Sequence, residues 1–167
     1  MVDPYQTPQA ELHASLPLDD LELATRGKRL GGSLLDSLIV TPLNFGIWYV
    51  TGFFDVLFSG NVSALQLFQV SAIGFVVFFG LNGYLLANRG QTIGKYLVKT
   101  QIVDFENGEI PAIGRMIGLR YVPFWIASAI PLVGNVTGLV NGLFIFGESK
   151  RCLHDYLART KVVQLPS

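Results

Sequence analysis

The chain has 167 residues, half of them apolar and 14% charged, with twelve Lys and Arg balancing twelve Asp and Glu and a mean hydropathy of +0.45. That length is one domain, and that hydropathy excludes an ordinary soluble globule in favour of an integral membrane protein. A single cysteine, Cys152, excludes a disulfide framework.

The basic residues form three clusters: Arg26, Lys28 and Arg29; then Arg89, Lys95, Lys99, Arg115 and Arg120; then Lys150, Arg151, Arg159 and Lys161. Because Lys and Arg are retained on the cytoplasmic side of membrane proteins, all three clusters and both termini are expected there. Residues 1–24, rich in Pro and acids, lack the basic start and short apolar core of a cleavable signal and read as a flexible cytoplasmic tail. From Leu30 to Phe54 runs an apolar segment longer than the ~20 residues a crossing needs, interrupted by Asp36 and by Pro42, which is expected to kink it. Asp55 to Asn61 reads as an external loop. Val62 to Ala87 is the second crossing, uncharged and rich in Phe, and its Asn82 is expected to hydrogen-bond a neighbouring helix.

After Asn88 the chain leaves the membrane. Thr92 is placed to cap a short amphipathic helix through Tyr96 or Leu97, and Val98 to Phe105 alternates like a strand before the turn Glu106-Asn107-Gly108-Glu109. A lone edge strand would be unstable, so pairing with Thr160 to Leu165 beneath the membrane is predicted. The segment GQTIGK, Gly90 to Lys95, lacks the spacing and the hydroxyl of a phosphate-binding loop.

Ala112 to Phe146 admits two readings. One is a single crossing from Tyr121 to Gly147, giving three spans. The favoured one is a helical hairpin turning near Ile130-Pro131, giving four, with Arg115 and Arg120 reaching back to the cytoplasmic interface. In the outgoing helix Gly134, Gly138 and Gly142 make a flat face for another helix, flanked by Asn135 and Asn141. The fold expected is thus an all-α membrane bundle of four helices, alternatively three, with a short cytoplasmic β pairing. The bundle domain occupies residues 25–163, and 164–167 form a C-terminal tail.

Two charges stand out within this plan. Arg29 and Asp36 are seven residues apart, so they share a helical face but lie roughly 10 Å apart along the axis, and each needs a partner from elsewhere. Asp36 is either a proton or cation site or a structural carboxylate. In the second case it accepts bonds from Ser33, from a basic residue of the second cluster, or from a helix N-terminus. His154 and Cys152, close to Asp155, are too few ligands for a metal, and His154 reads as a hydrogen-bonded side chain. No nucleophile, base and acid occur as a set, so neither catalysis nor a cofactor is expected, and no nucleic acid is expected as a partner.

With Arg29 and Asp36 in the first helix, TIGKYLVKTQIVDFENGE at Thr92 to Glu109, and RCLHDYLARTKVV at Arg151 to Val163, the chain resembles the RDD family, named for an arginine and two aspartates. The resemblance covers Ala24 to Val163 and implies Arg29, Asp36 and Asp155 as those residues. It also implies a multi-span protein of the prokaryotic inner membrane, with transport and monovalent cation/proton antiport suggested for some members. Gly31-Gly32 departs from the family's pattern and is expected to loosen the helix entry. Arg29 is expected to pair with Asp155, with rescue of either loss by reversing both charges. Two functions follow as alternatives. One is a small carrier for a proton or monovalent cation, working as a homo-oligomer in the bilayer. The other is a scaffold or assembly factor that holds another membrane protein.

Overall fold

The computed structural model describes residues 21–128, 130 and 132–166, with the backbone alone at Asn135. Two helices dominate it. Thr25 caps α1 (Arg26–Val50) by accepting the Lys28 N–H, and a reciprocal Ser63–Gln66 capping box starts α3 (Ala64–Arg89). Both are long and apolar enough to cross a membrane. Their apolar side chains, Leu34, Leu38, Leu65, Phe68 and Val76 among them, face outward instead of into a core, which is the pattern of helices solvated by lipid. Pro42 lies inside α1, which continues to Val50. The expected external loop is largely helical: α2 (Phe53–Phe58) packs Phe53 and Phe54 against Trp48.

The segment after residue 112 folds back on itself, so the single long crossing does not form. Its incoming arm is α5 (Ile113–Arg115), a π-helical stretch (Met116–Tyr121) and α6 (Val122–Ser128). Pro123 explains the π stretch: it has no N–H for the Leu119 carbonyl, and a widened turn, in which the Val122 N–H reaches Ile117, accommodates it. The outgoing arm is α7 (Val133–Leu143), tightened at its end into the 3-10 turn Phe144–Phe146. Pro131, the expected turn residue, lies outside the described residues. Gly134 donates its N–H to Ile130, and a Cβ there would stand 2.8 Å from the Ser128 backbone. Gly134 therefore serves the hairpin itself. Among the described residues a Cβ at Gly138 or Gly142 would meet nothing within 4 Å, so no helix of those residues packs on the expected three-glycine face at these two positions.

Where α3 ends, Gly90 adopts φ +59° and the chain enters α4 (Ile93–Leu97) and then β1 (Thr100–Asp104). After α7 it enters α8 (Leu153–Leu157) and β2 (Thr160–Gln164). The strands pair antiparallel with Ile102 opposite Val162. The N-terminal tail ends sooner than expected, because Leu23 bridges Val163 and the Gln164 N–H donates to Glu22. That third partial strand covers the free edge of β2, and Gln164 and Leu165 are also bonded to Lys99 rather than trailing. Ala24, Leu86, Ile102, Met116 and Val162 form the core, where the ribbon meets the end of α3 and the π stretch.

The two ribbon units resemble one another in sequence and backbone. Residues 92–104 and 152–164 align sixty positions apart, with Tyr96 matching Tyr156, Leu97 Leu157, Thr100 Thr160 and Val103 Val163. Their backbones agree too. Each is a five-residue helix followed by a basic residue in the left-handed region, Lys99 at φ 54° and Arg159 at φ 52°. Since Ile102 and Val162 are equivalent and face each other in the sheet, the copies are related by a pseudo-two-fold axis through that pair.

Candidate functional site

The repeat places Lys95 and Asp155 at equivalent positions, and α1 meets both with the opposite charge. Asp36 faces Lys95, and Arg29, two helical turns earlier, faces Asp155. The two charges that the first helix cannot pair with each other are thus paired by the two copies.

At the first station α4 lies against α1. The Gly94 N–H donates to Asp36 Oδ1 at 2.7 Å, the Thr92 hydroxyl to Oδ2 at 2.5 Å, and Lys95 Nζ stands 3.8 Å away. A Cβ on Gly94 would sit 2.0 Å from the Gly32 carbonyl oxygen, so the approach requires glycine. Gly32, with Val98 Cγ2 3.2 Å from where its Cβ would be, lets α1 take α4 so closely; the glycine pair seats a helix rather than loosening one. Asn82 completes the seat, accepting the Ile93 N–H at 2.8 Å. Burial, opposed by Asp36 but reinforced by Arg120, brings the Lys95 ammonium down to about 8.

At the second station Asp155 is wholly buried and accepts bonds from Arg29, Arg120 and the Cys152 N–H. Burial alone would raise its carboxyl, but Arg120, His154 and Arg29 hold it well below the usual carboxylate range. Arg29 also donates to the Lys150 carbonyl, and Arg120 to the Thr160 hydroxyl at 2.6 Å. Arg120 does not reach back to an interface as expected, being 3% exposed in this clamp, whereas the partly exposed Arg115 pairs with Asp104 on the ribbon. His154 shares Asn141 Oδ1 between its ring Nδ1, at 2.8 Å, and its backbone N–H. Burial, with Arg120, lowers its imidazole to about 3, so it is neutral at physiological pH. Asn135, expected beside Asn141, has a side chain outside the described residues.

Both stations border one cavity of about 510 Å³ between α1, α6 and α7. Arg29, Asp36, Lys95 and Arg120 stand on its wall with Asn141 and His154. Cys152, His154 and Asp155 bring three ligand atoms within 4.8 Å of one another, but the Asp155 oxygens are taken by two guanidiniums, which would also repel a metal ion. The RDD profile matches residues 23–159. The chain belongs to the RDD family. No curated protein and no solved structure matches it.

Arg29 and Asp36, two of the residues that carry the resemblance to RDD proteins, therefore stand on one cavity, and the third, Asp155, is buried behind its wall against Arg29 and Arg120. Thr92 caps α4 as expected and also bonds Asp36, and the basic residue of the second cluster and the helix N-terminus expected beside Asp36 are Lys95 and the start of α4; the close approach at Gly94 and the inward place of Arg120 were not foreseen. Thr92, Gly94 and Lys95 lie in GQTIGK, which is informative for how it seats α4 and not as a nucleotide loop. The sixty-residue repeat is the signal that finds Lys95, because it aligns that residue with Asp155.

Proposed function

We propose that this RDD protein is a non-enzymatic, multi-pass carrier of the inner membrane, with both termini and the β ribbon cytoplasmic and with the proton as its coupling ion. The observation that carries the reading is the Asp36–Lys95 pair, 3.8 Å apart on the wall of the cavity between α1 and α7. A lysine that titrates near 8 exchanges its proton at physiological pH, and each exchange changes the charge of the cavity by one. Three basic side chains on the same wall disfavour a bare metal cation, which points to the proton instead of sodium.

The test is proton flux in vesicles reconstituted with the full chain and loaded with a pH-sensitive dye. Wild-type protein should dissipate an imposed pH gradient faster than empty vesicles, and Asp36→Asn and Lys95→Gln should return the rate to that baseline. Flux no faster than in empty vesicles overturns the reading. The closed clamp at Asp155 favours the other reading, a scaffold for a second membrane protein, because it is a fixed joint; a scaffold gives no flux at all.

A further inference from the structure

The cavity carries more positive charge than its own carboxylates balance. Arg29, Lys95 and Arg120 are on its wall with Asp36, and Asp155 lies just behind, so three cations meet two anions. The two guanidiniums share one carboxylate at 5% and 3% exposure. Arg120 makes its bonds to Asp155 and Thr160 through Nη1 alone, and its buried Nε has no acceptor among the described residues. Lys95 has three N–H groups and only long contacts for them, Thr92 Oγ1 at 3.4 Å and Asp36 at 3.8 Å. Buried positive charge of this kind is costly unless an anion answers it.

The wall also carries an apolar set, Leu30, Phe78, Phe124, Trp125 and Ile145, beside the polar Ser33, Ser37 and Asn141, and it runs as a slot between two helices. Leu30, Ser33 and Ser37 line it from one face of α1, and Gly138, Asn141 and Gly142 from one face of α7. The two glycines leave open space between those faces, and Leu30, 57% exposed, joins the slot to the outward apolar surface of α1.

We infer that this slot binds an anionic phospholipid, its phosphate on Arg29, Lys95 and Arg120 and an acyl chain lying between α1 and α7. The unanswered Nε of Arg120 and the loosely held Lys95 ammonium are donors for phosphate oxygens, with Arg29 adding positive charge beside them, and the size is that of an ordinary ligand site. Free phosphate shares the headgroup chemistry but leaves the apolar slot unfilled, so the lipid is the occupant the cavity fits. The inference rests on this cavity being the working site of the proposed carrier. Its test reads occupancy and not flux, so either can fail alone.

Of the two tryptophans, Trp125 lines this cavity and Trp48 does not. In full-length Trp48→Phe protein in nanodiscs, Trp125 fluorescence should be quenched more by chain-brominated phosphatidylglycerol than by chain-brominated phosphatidylcholine. Lys95→Gln should weaken that preference, and Gly142→Leu, at a position whose Cβ would stand in open space, should abolish it while the protein still melts cooperatively. Equal quenching by the two lipids overturns the inference. So does inorganic phosphate at millimolar concentration erasing the preference, which would make the free ion the ligand. If Gly142→Leu disturbs folding, Gly138→Leu provides the same block from the other end of the slot, and a preference that survives in a folded blocked variant also overturns it.

Discussion

Residues 92–104 and 152–164 share one element order and carry opposite charges at one equivalent position, Lys95 in the first and Asp155 in the second. In the second copy Asp155 is closed in by two arginines and an amide, with nothing left to water. In the first, Lys95 has a single carboxylate 3.8 Å away, and both groups border the cavity. The same scaffold thus supplies one fixed joint and one adjustable pair. The difference is also chemical. An arginine left without its partner keeps its charge, whereas a lysine can shed a proton.

That contrast predicts unequal costs of breaking the two. Asp155→Ala leaves Arg29 and Arg120 buried against each other and should cost about 3–5 kcal/mol, the penalty of an uncompensated buried charge. Asp36→Ala should cost clearly less, because Lys95 can neutralise itself. Unfolding in mild detergent with denaturant checks this, and equal losses would dissolve the distinction between joint and pair. Arg120 also revises the exchange expected from the sequence. The double change R29D/D155R would not restore stability, since a guanidinium at position 155 would face Arg120.

Position 94 offers a second comparison. Its equivalent, position 154, carries an imidazole, but at Gly94 the α1 backbone occupies the space of a side chain. Gly94→Ala should push α4 off α1 and cost about 1–3 kcal/mol, typical of overpacking. Asp36 would lose the Gly94 N–H with it. Gly142→Ala, in open space, should be neutral or slightly stabilising, in keeping with the better helix propensity of Ala. If the two substitutions melt alike, close seating of α4 is not what glycine is there for.

These stations were legible in the sequence to different degrees. An unpaired Arg29 and Asp36 on one face of α1 announced that partners had to come from elsewhere, and Asp155 came from the resemblance to the RDD family, its place just beyond the last apolar segment putting it at the depth of Arg29. The strands were legible from alternation and from the instability of a lone edge. Arg120 was not, because a basic residue near a helix end ordinarily reaches for water. It lies in the π stretch before Pro123 and turns inward to Asp155 and Thr160. Nor was the role of Gly138 and Gly142, since spacing by four says that a helix face is flat and not whether anything packs on it.

The finest separation of the two copies is by pH. Burial lowers both His154, from 6.5 to about 3, and Lys95, from 10.5 to about 8. In each case the unfolded chain binds the proton more readily, so stability rises with pH through the window between the two values. For His154 that means loss on acidification below 6.5, and for Lys95 a gain between 8 and 10.5. One proton limits each slope to about 1.4 kcal/mol per pH unit. His154→Gln should flatten the acid limb and leave the alkaline one, and Lys95→Gln should do the reverse. Reading the acid limb above pH 4 keeps it clear of Asp155, whose unfolded value is 3.8 and which adds its own loss below that. An acid slope that survives His154→Gln would mean that the clamp is not shielding a neutral imidazole, and the fixed joint would then be open to protons as the Lys95 station is.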